Sequence, residues 1–269
     1  MVTDGLFLCP HCGHKLLKKE KSLICENGHC FDVAKSGYVN LLPANKKNSV
    51  NPGDNKDMIK ARVRVMDKGY YAPLADRIID VLKDRGKEFI LDAGCGTGYI
   101  THRLKTAFED SEIAGTDISK FAIEQASKLY KDVNYAVCSS IRLPFEDGEA
   151  DAVICAFAPV YASEFARVSK ENGLLLRVTP ARGHLYGLKE FLYEEARYNE
   201  EDDSAFDGYE EIGREIVGGR IECDGEDVRA LVKMTPYYYH TPKERLEKLY
   251  EVDKMTVETE FELGVFKKK

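Results

Sequence analysis

Leu91-Asp92-Ala93-Gly94-Cys95-Gly96-Thr97-Gly98-Tyr99 is the stretch that decides the fold. A short apolar run, Phe89–Asp92, enters it, and a helical pattern leaves it from about Tyr99. Glycines at alternate positions let a backbone turn sharply and come close to a ligand. A dinucleotide loop would read G-x-G-x-x-G. Here the spacing is G-x-G-x-G, with an acid just ahead of the first glycine, so a pyrophosphate cradle is not what the loop encodes.

Working outward, Ile113–Thr116 reads as a second strand that ends at Asp117, and Ser119 caps a helix through Phe121, Ile123 and Ala126. Strands follow at Val133–Val137, Ala152–Ala156 and Leu174–Thr179, with a short helix at Glu164–Val168. Strands alternating with helices imply βαβ units, hence an α/β Rossmann-like fold with a mostly parallel sheet. Asp117 stands 25 residues after Asp92, where a carboxylate at a strand end can accept both ribose hydroxyls. Loop, acid and βαβ rhythm together match a site for S-adenosylmethionine (SAM), with Asp92, Gly94, Gly96, Thr97, Gly98 and Asp117 as its candidate contacts. Residues 181–250 read as more helical and less regular, and 254–266 as a closing edge strand.

Ahead of this domain the chain offers Cys9-Pro-His-Cys12 and Cys25-Glu-Asn-Gly-His29-Cys30. Two thiolates two residues apart can meet one ion, and the twelve residues between the pairs suffice for a hairpin. Cys9, Cys12, Cys25 and His29 form a tetrahedral set for structural zinc, with Cys30 a rival fourth ligand and His11 and His14 weaker ones. A module of this size has too little core to fold without such a staple. The expected division is a zinc-binding, RNA-recognising module at 1–35, a connector and helical lead-in at 36–86, and the SAM-dependent domain at 87–269. Within the lead-in, Asp54 or Asn55 caps a helix through Met58, Ile59, Val63 and Met66, and a second helix follows Pro73 with Leu74, Ile78, Ile79 and Leu82 on one face.

The composition, 43% hydrophobic and 32% charged, suits a soluble protein with a real core. There is no apolar run long enough for a membrane span and no secretory pattern at the N-terminus, so no membrane association and a cytoplasmic location are expected. That in turn keeps the eight cysteines reduced. The net charge of −7 disfavours nucleic acid as a partner, but Lys15, Lys18, Lys46, Lys47 and Arg62 concentrate positive charge in the first quarter, where they can meet phosphates.

These motifs resemble those of the bacterial 23S rRNA guanine-N1 methyltransferases. The likeness runs over nearly the whole chain: the zinc cluster followed by FDVAKSGYVNLLP, the NPGD turn, GYYAPL, LDAGCGTGY, SSIRLPF and KMTPYYYHT. The resemblance implies methyl transfer from SAM to guanine N1 in a 23S rRNA hairpin, a zinc module that helps recognise the RNA, and a homodimer. It also implies that Tyr71, Gly96, Thr97 and His184 touch SAM. One departure is Ala158-Pro159-Val160, where the family tends to show Ala-Pro-Cys. That segment holds no side-chain acceptor for an exocyclic amine, which agrees with a ring-nitrogen target. Phe157, Tyr161 and Tyr237–Tyr239 are candidate stacking residues for bases. No residue announces itself as a general base, and the catalytic residue is left unassigned. Two alternatives stand beside this reading. One is a small-molecule methyltransferase, against which the zinc module argues; the other is a non-catalytic RNA-binding protein, against which the intact loop argues.

Overall fold

The computed structural model describes residues 2–43, 55–85 and 87–269. Lys46, Lys47, the NPGD turn and Asp54 lie outside the described residues. The N-terminal module contains a three-stranded antiparallel sheet, β1 (Leu17–Lys19), β2 (Ser22–Ile24) and β3 (Cys30–Asp32). The connector then adds β4 (Tyr38–Asn40), helix α1 (Lys56–Asp67) and helix α2 (Ala72–Leu82). Asn55 caps α1, its side chain accepting from the backbone N–H groups of Asp57 and Met58 at 3.0 Å. Pro73 sits in the first turn of α2, where its missing N–H costs nothing. Leu74, Ile78, Ile79 and Leu82 are buried along one face of that helix, each worth roughly 1.5–3 kcal/mol.

The main sheet is built from β5 (Phe89–Ala93), β6 (Glu112–Asp117), β7 (Asn134–Val137), β8 (Ala150–Ala156) and β9 (Ser169–Pro180), joined by helices α3 (Tyr99–Ala107), α4 (Lys120–Leu129) and α5 (Ala162–Val168). After α6 (Tyr186–Leu192) come β10 (Tyr209–Asp224), α7 (Gly225–Lys233), α8 (Tyr237–His240), α9 (Lys243–Lys248) and β11 (Lys254–Lys268). The eight-stranded order is β10-β11-β9-β8-β5-β6-β7-β4. All neighbours from β9 to β4 run parallel, whereas β11 is antiparallel to both β9 and β10.

Three features differ from the sequence reading. The connector contributes a strand of its own, since Tyr38–Asn40 pairs with Tyr135–Val137. The 181–250 region holds a 16-residue strand, β10, which the charged and glycine-interrupted pattern YEEIGREIVGGRIECD conceals. It forms one edge of the sheet, so much of its length faces solvent, and only its second half turns apolar residues inward, Val217, Ile221 and Cys223, between charges and glycines. Consequently β11 is not the edge strand: it is flanked on both sides, which explains why seven of its residues are buried.

Alternation along β5 sends Ile90 to one face and Phe89 and Leu91 to the other. The first face is covered by α1 to α4. The zinc module covers much of the second, where Phe7, Leu16 and Leu23 share a core with Leu91 and Phe145. The module is anchored by Phe7 against Phe145 (5.5 Å between ring centroids), by Leu8 N–H donating to the Pro144 carbonyl (2.8 Å) and by Thr3 N–H donating to Asn134 Oδ1 (2.6 Å).

Candidate functional site

A cavity of about 210 Å³ opens at the carboxyl ends of β5, β6 and β8. The chain order reverses there, with β6 on one side of β5 and β8 on the other, the place where ligands sit in doubly wound sheets. The three glycines answer different needs. Gly94 (φ +88°) passes so close to the exit of β8 that a Cβ would lie 2.5 Å from that of Ala158. Gly98 (φ +77°) starts α3, and its Cβ would lie 2.4 Å from Tyr135 Oη. Gly96 (φ +55°) has room, so its requirement is conformational.

The loop is tied to β6 by Gly94 and Cys95, whose N–H groups both donate to the Thr116 carbonyl (2.8 and 2.9 Å). Asp117 completes the attachment. One carboxylate oxygen accepts from Gly96 N–H at 2.9 Å and the other from Ser119 N–H at 2.7 Å. Asp92 is 1% exposed and accepts from Thr101 Oγ1 at 2.6 Å. Burial pushes its carboxyl up to about 7, and the negative charge of Asp117 adds to the shift.

The lead-in helices roof the cavity. Arg62 and Met66, four apart on α1, both line it, as does Tyr71 at the start of α2. Phe157 closes one side at φ +58°, with 39% of its surface exposed. Its ring meets Tyr71 edge-on at 6.0 Å, and both rings rest on Phe261 at 5.5 and 4.6 Å.

Of the residues expected to touch cofactor, Tyr71, Asp92, Gly94, Gly96, Thr97 and Asp117 line this one cavity. Gly98 and His184 are not among its lining residues. Gly98 packs against Tyr135. His184 is 4% exposed and lies against Phe261 (4.9 Å), the ring on which Tyr71 also rests. Burial lowers its pKa to about 4, so the imidazole is neutral at pH 7. Arg62 and Met66 were legible only as a basic residue and a core residue of a helix, because which helix face meets the loop is a tertiary fact. The Ala156–Pro159 segment carried a signal, its position after a strand end.

The donor set suits SAM. Two carboxylates face a cavity whose floor is bare glycine backbone, which matches a ligand carrying ammonium and sulfonium charges and ribose hydroxyls. Asp92 and Asp117 would hold the cationic and hydroxyl groups, and the ligand would supply an electrophilic methyl group.

In the N-terminal module, two tight turns present the zinc set. Gly13 N–H donates to the Cys9 carbonyl (2.8 Å) in one, and Gly28 N–H to the Cys25 carbonyl (2.9 Å) in the other. The ligand atoms of Cys9, Cys12, Cys25 and His29 all lie within 4.8 Å of one another. Cys12 Sγ is 3.6 Å from Cys25 Sγ, and His29 Nδ1 is 3.5 Å from Cys9 Sγ and 3.3 Å from Cys25 Sγ. A zinc tetrahedron with bonds of about 2.0–2.3 Å has edges of about 3.3–3.8 Å, so the side chains already outline it. A hydrogen bond from the backbone at His14 draws the Cys12 thiol down, toward the thiolate that a metal needs, while burial raises that of Cys9. Cys30 is exposed on β3 and outside this set, and the His11 ring lies tilted against that of His29 at 5.0 Å. Four protein ligands leave no open position, which makes the site structural.

A cleft that seeks a cation at the switch point of this sheet is what SAM-dependent methyltransferases share, and the ribbon docked beside it sets this chain among those that carry a zinc module. A family model described as "RlmA, N-terminal", a zinc ribbon, matches residues 7–50, and one described as "Methyltransferase domain" matches residues 90–176. The 23S rRNA (guanine(748)-N(1))-methyltransferase of Streptomyces fradiae is 33% identical over 250 residues, 88% of this chain and 87% of that protein. YxjB of Bacillus subtilis (strain 168), which has 23S rRNA guanine-N(1) methyl transfer in its name, is 33% identical over 98% of both chains. A chain from the complex of the Haloferax volcanii Trm112 methyltransferase activator with a methyltransferase shares the fold, with a TM-score of 0.51 and 18% identity over 80% of this chain and 98% of that one. The chain belongs to the 23S rRNA (guanine-N1)-methyltransferase family.

Proposed function

We propose that this protein transfers the methyl group of SAM to N1 of a guanine in a hairpin loop of 23S rRNA, and that it works in the cytoplasm as a homodimer whose zinc module helps grip the RNA. The observation that carries the reading is the docking of the zinc module beside the cofactor cavity. A groove of about 1010 Å³ runs between the first zinc turn (Cys9, Pro10, Gly13) and the segment Cys138–Phe145. Ile118 lines that groove while its neighbours Asp117 and Ser119 line the cavity, so the two open next to each other. A metabolite methyltransferase would need no such second concave surface. Among the described residues no helix is long and apolar enough to cross a membrane.

Guanine N1 lies on the Watson–Crick edge, so the base must be unpaired or flipped before its nitrogen can meet an electrophile. Phe157, exposed at the rim of the cavity, offers a stacking face for such a base. Tyr161 and Arg142 line the adjoining groove, where flanking nucleotides would lie. Lys15 already pairs with Glu146 across that junction at 3.3 Å. Tyr238 and Tyr239 are exposed, but Tyr239 Oη accepts from Asn55 Nδ2 at 2.7 Å, away from the groove. In the transfer the N1–C bond would form in line as the C–S bond of the sulfonium breaks, the thioether leaves and the N1 proton is released to solvent, so the protein's work is alignment and charge control.

The test is incubation of the purified protein and labelled SAM with 23S rRNA that lacks its native methylations, followed by nuclease digestion and mass spectrometry. A single N1-methylguanosine in a hairpin loop is expected. Tight SAM binding without transfer to rRNA would reject the substrate and put a small molecule in its place.

A further inference from the structure

The cavity that holds two carboxylates also holds one cation, and nothing in the family match accounts for it. Arg62 projects from α1 over the glycine loop: a Cβ on Gly96 would meet its Cδ at 3.9 Å, and it lines the cavity together with Asp92 and Asp117. Its charge reaches the Tyr71 hydroxyl, where it opposes the effect of burial. The residue is built into position from behind. Arg62 Nη2 donates to the carbonyl of Met234, the C-cap of α7, at 3.3 Å. On the same pair of helices, fully buried Asp227 accepts from Arg64 Nε at 2.5 Å and Tyr70 Oη at 2.6 Å, and lies 3.3 Å from Lys68 Nζ. This clamp fixes the residues on either side of the roof, so Arg62 and Tyr71 are not free to swing away from the loop.

SAM carries two positive groups, sulfonium and ammonium, and one negative group, the α-carboxylate. The cavity presents the complement of the methionine end, a carboxylate (Asp92) for a positive group and one guanidinium for the negative one, with Asp117 left for the ribose hydroxyls. We propose that Arg62 recognises the α-carboxylate of the cofactor's methionine moiety, and so selects SAM against adenosyl sulfonium compounds that lack it. This assignment rests on the SAM reading of the cavity. A guanidinium suits the task because its planar fork binds a carboxylate through two parallel hydrogen bonds.

The experiment is calorimetric titration of the zinc-loaded protein with SAM and with decarboxylated SAM. Wild type is expected to favour SAM by about 10- to 100-fold, the range for a hydrogen bond to a charged group. In Arg62→Met that margin should vanish through loss of SAM affinity, while decarboxylated SAM binds within about twofold of wild type. Retained binding of the analogue shows that the variant is folded. Equal wild-type affinity for the two ligands overturns the proposal, and so does a margin that survives in Arg62→Met. An unchanged SAM affinity accompanied by a raised KM for rRNA would reassign Arg62 to an RNA phosphate. If Arg62→Met binds neither ligand, Arg62→Lys decides: it must weaken SAM and spare the analogue, or the proposal fails. A wild type that binds neither ligand rejects the cofactor reading itself.

Discussion

Asp92 is a carboxylate placed where its ionised form is expensive until a cation arrives, and this makes cofactor affinity depend on pH. With its pKa raised to about 7, the side chain is about 90% ionised at pH 8 and about 10% ionised at pH 6. Only the ionised form attracts the positive groups of SAM, so the Kd for SAM should rise about tenfold from pH 8 to pH 6. Asp92→Asn should bind weakly and with a flat profile. Stability without ligand must move the opposite way. Between about 3.8 and 7 the native state holds a proton that the unfolded chain releases, so the contribution of Asp92 to stability increases as pH falls through that window. Asp92→Asn should therefore be more stable than wild type at pH 8, by about 2–4 kcal/mol, and lose that advantage near pH 4. Calorimetric titration at several pH values, with thermal melts of the unliganded protein alongside, measures both. A wild-type Kd that is constant from pH 8 to 6, or a slope that persists in Asp92→Asn, would refute the reasoning.

Three further outcomes follow from the geometry. Removing zinc with a chelator should unfold the ribbon and uncover Phe7, Leu16 and Leu23, seen as a lower melting temperature and increased binding of a hydrophobic dye; metal analysis should find one zinc per chain, lost in Cys25→Ser and kept in Cys30→Ser. Gly98→Ala should cost about 2–5 kcal/mol in denaturant unfolding, because the left-handed φ of +77° is strained for alanine and the new Cβ would strike Tyr135 Oη. Asp227→Ala should cost about 2–3 kcal/mol, less than a fully buried pair would, since Arg64 and Lys68 are 36% and 45% exposed and water can take them over. The same variant should weaken SAM binding by loosening α1, whereas an unchanged Kd would show that the clamp serves stability alone.

The elements recognised correctly from the chain are those whose signal is local. The loop from Asp92 to Gly98 encodes its own sharp path through glycine, and Asp117 follows from the length of one βα unit. The cap Ser119, a cap at Asp54 or Asn55, the apolar face of α2 and the paired cysteines are likewise read from neighbours a few residues apart. What needed the tertiary structure involves partners far apart in sequence. Strand β10 shows only a short apolar alternation, Val217, Ile221 and Cys223, interrupted by glycine, and exists as a strand because Tyr209–Asp224 pairs with Lys254–Lys268. The set Cys9, Cys12, Cys25 and His29 was named from spacing, and the fold sets aside its rival, because β3 begins at Cys30 and leaves it exposed. Arg62 reaches Gly96, and Asp227 reaches Arg64, only after the sheet has brought α1, α7 and the loop together. Local sequence carries periodicity, turns and capping because those are short-range physics. Burial, a shifted carboxylate and a cation set over a glycine loop arise only when distant segments exclude water from one another.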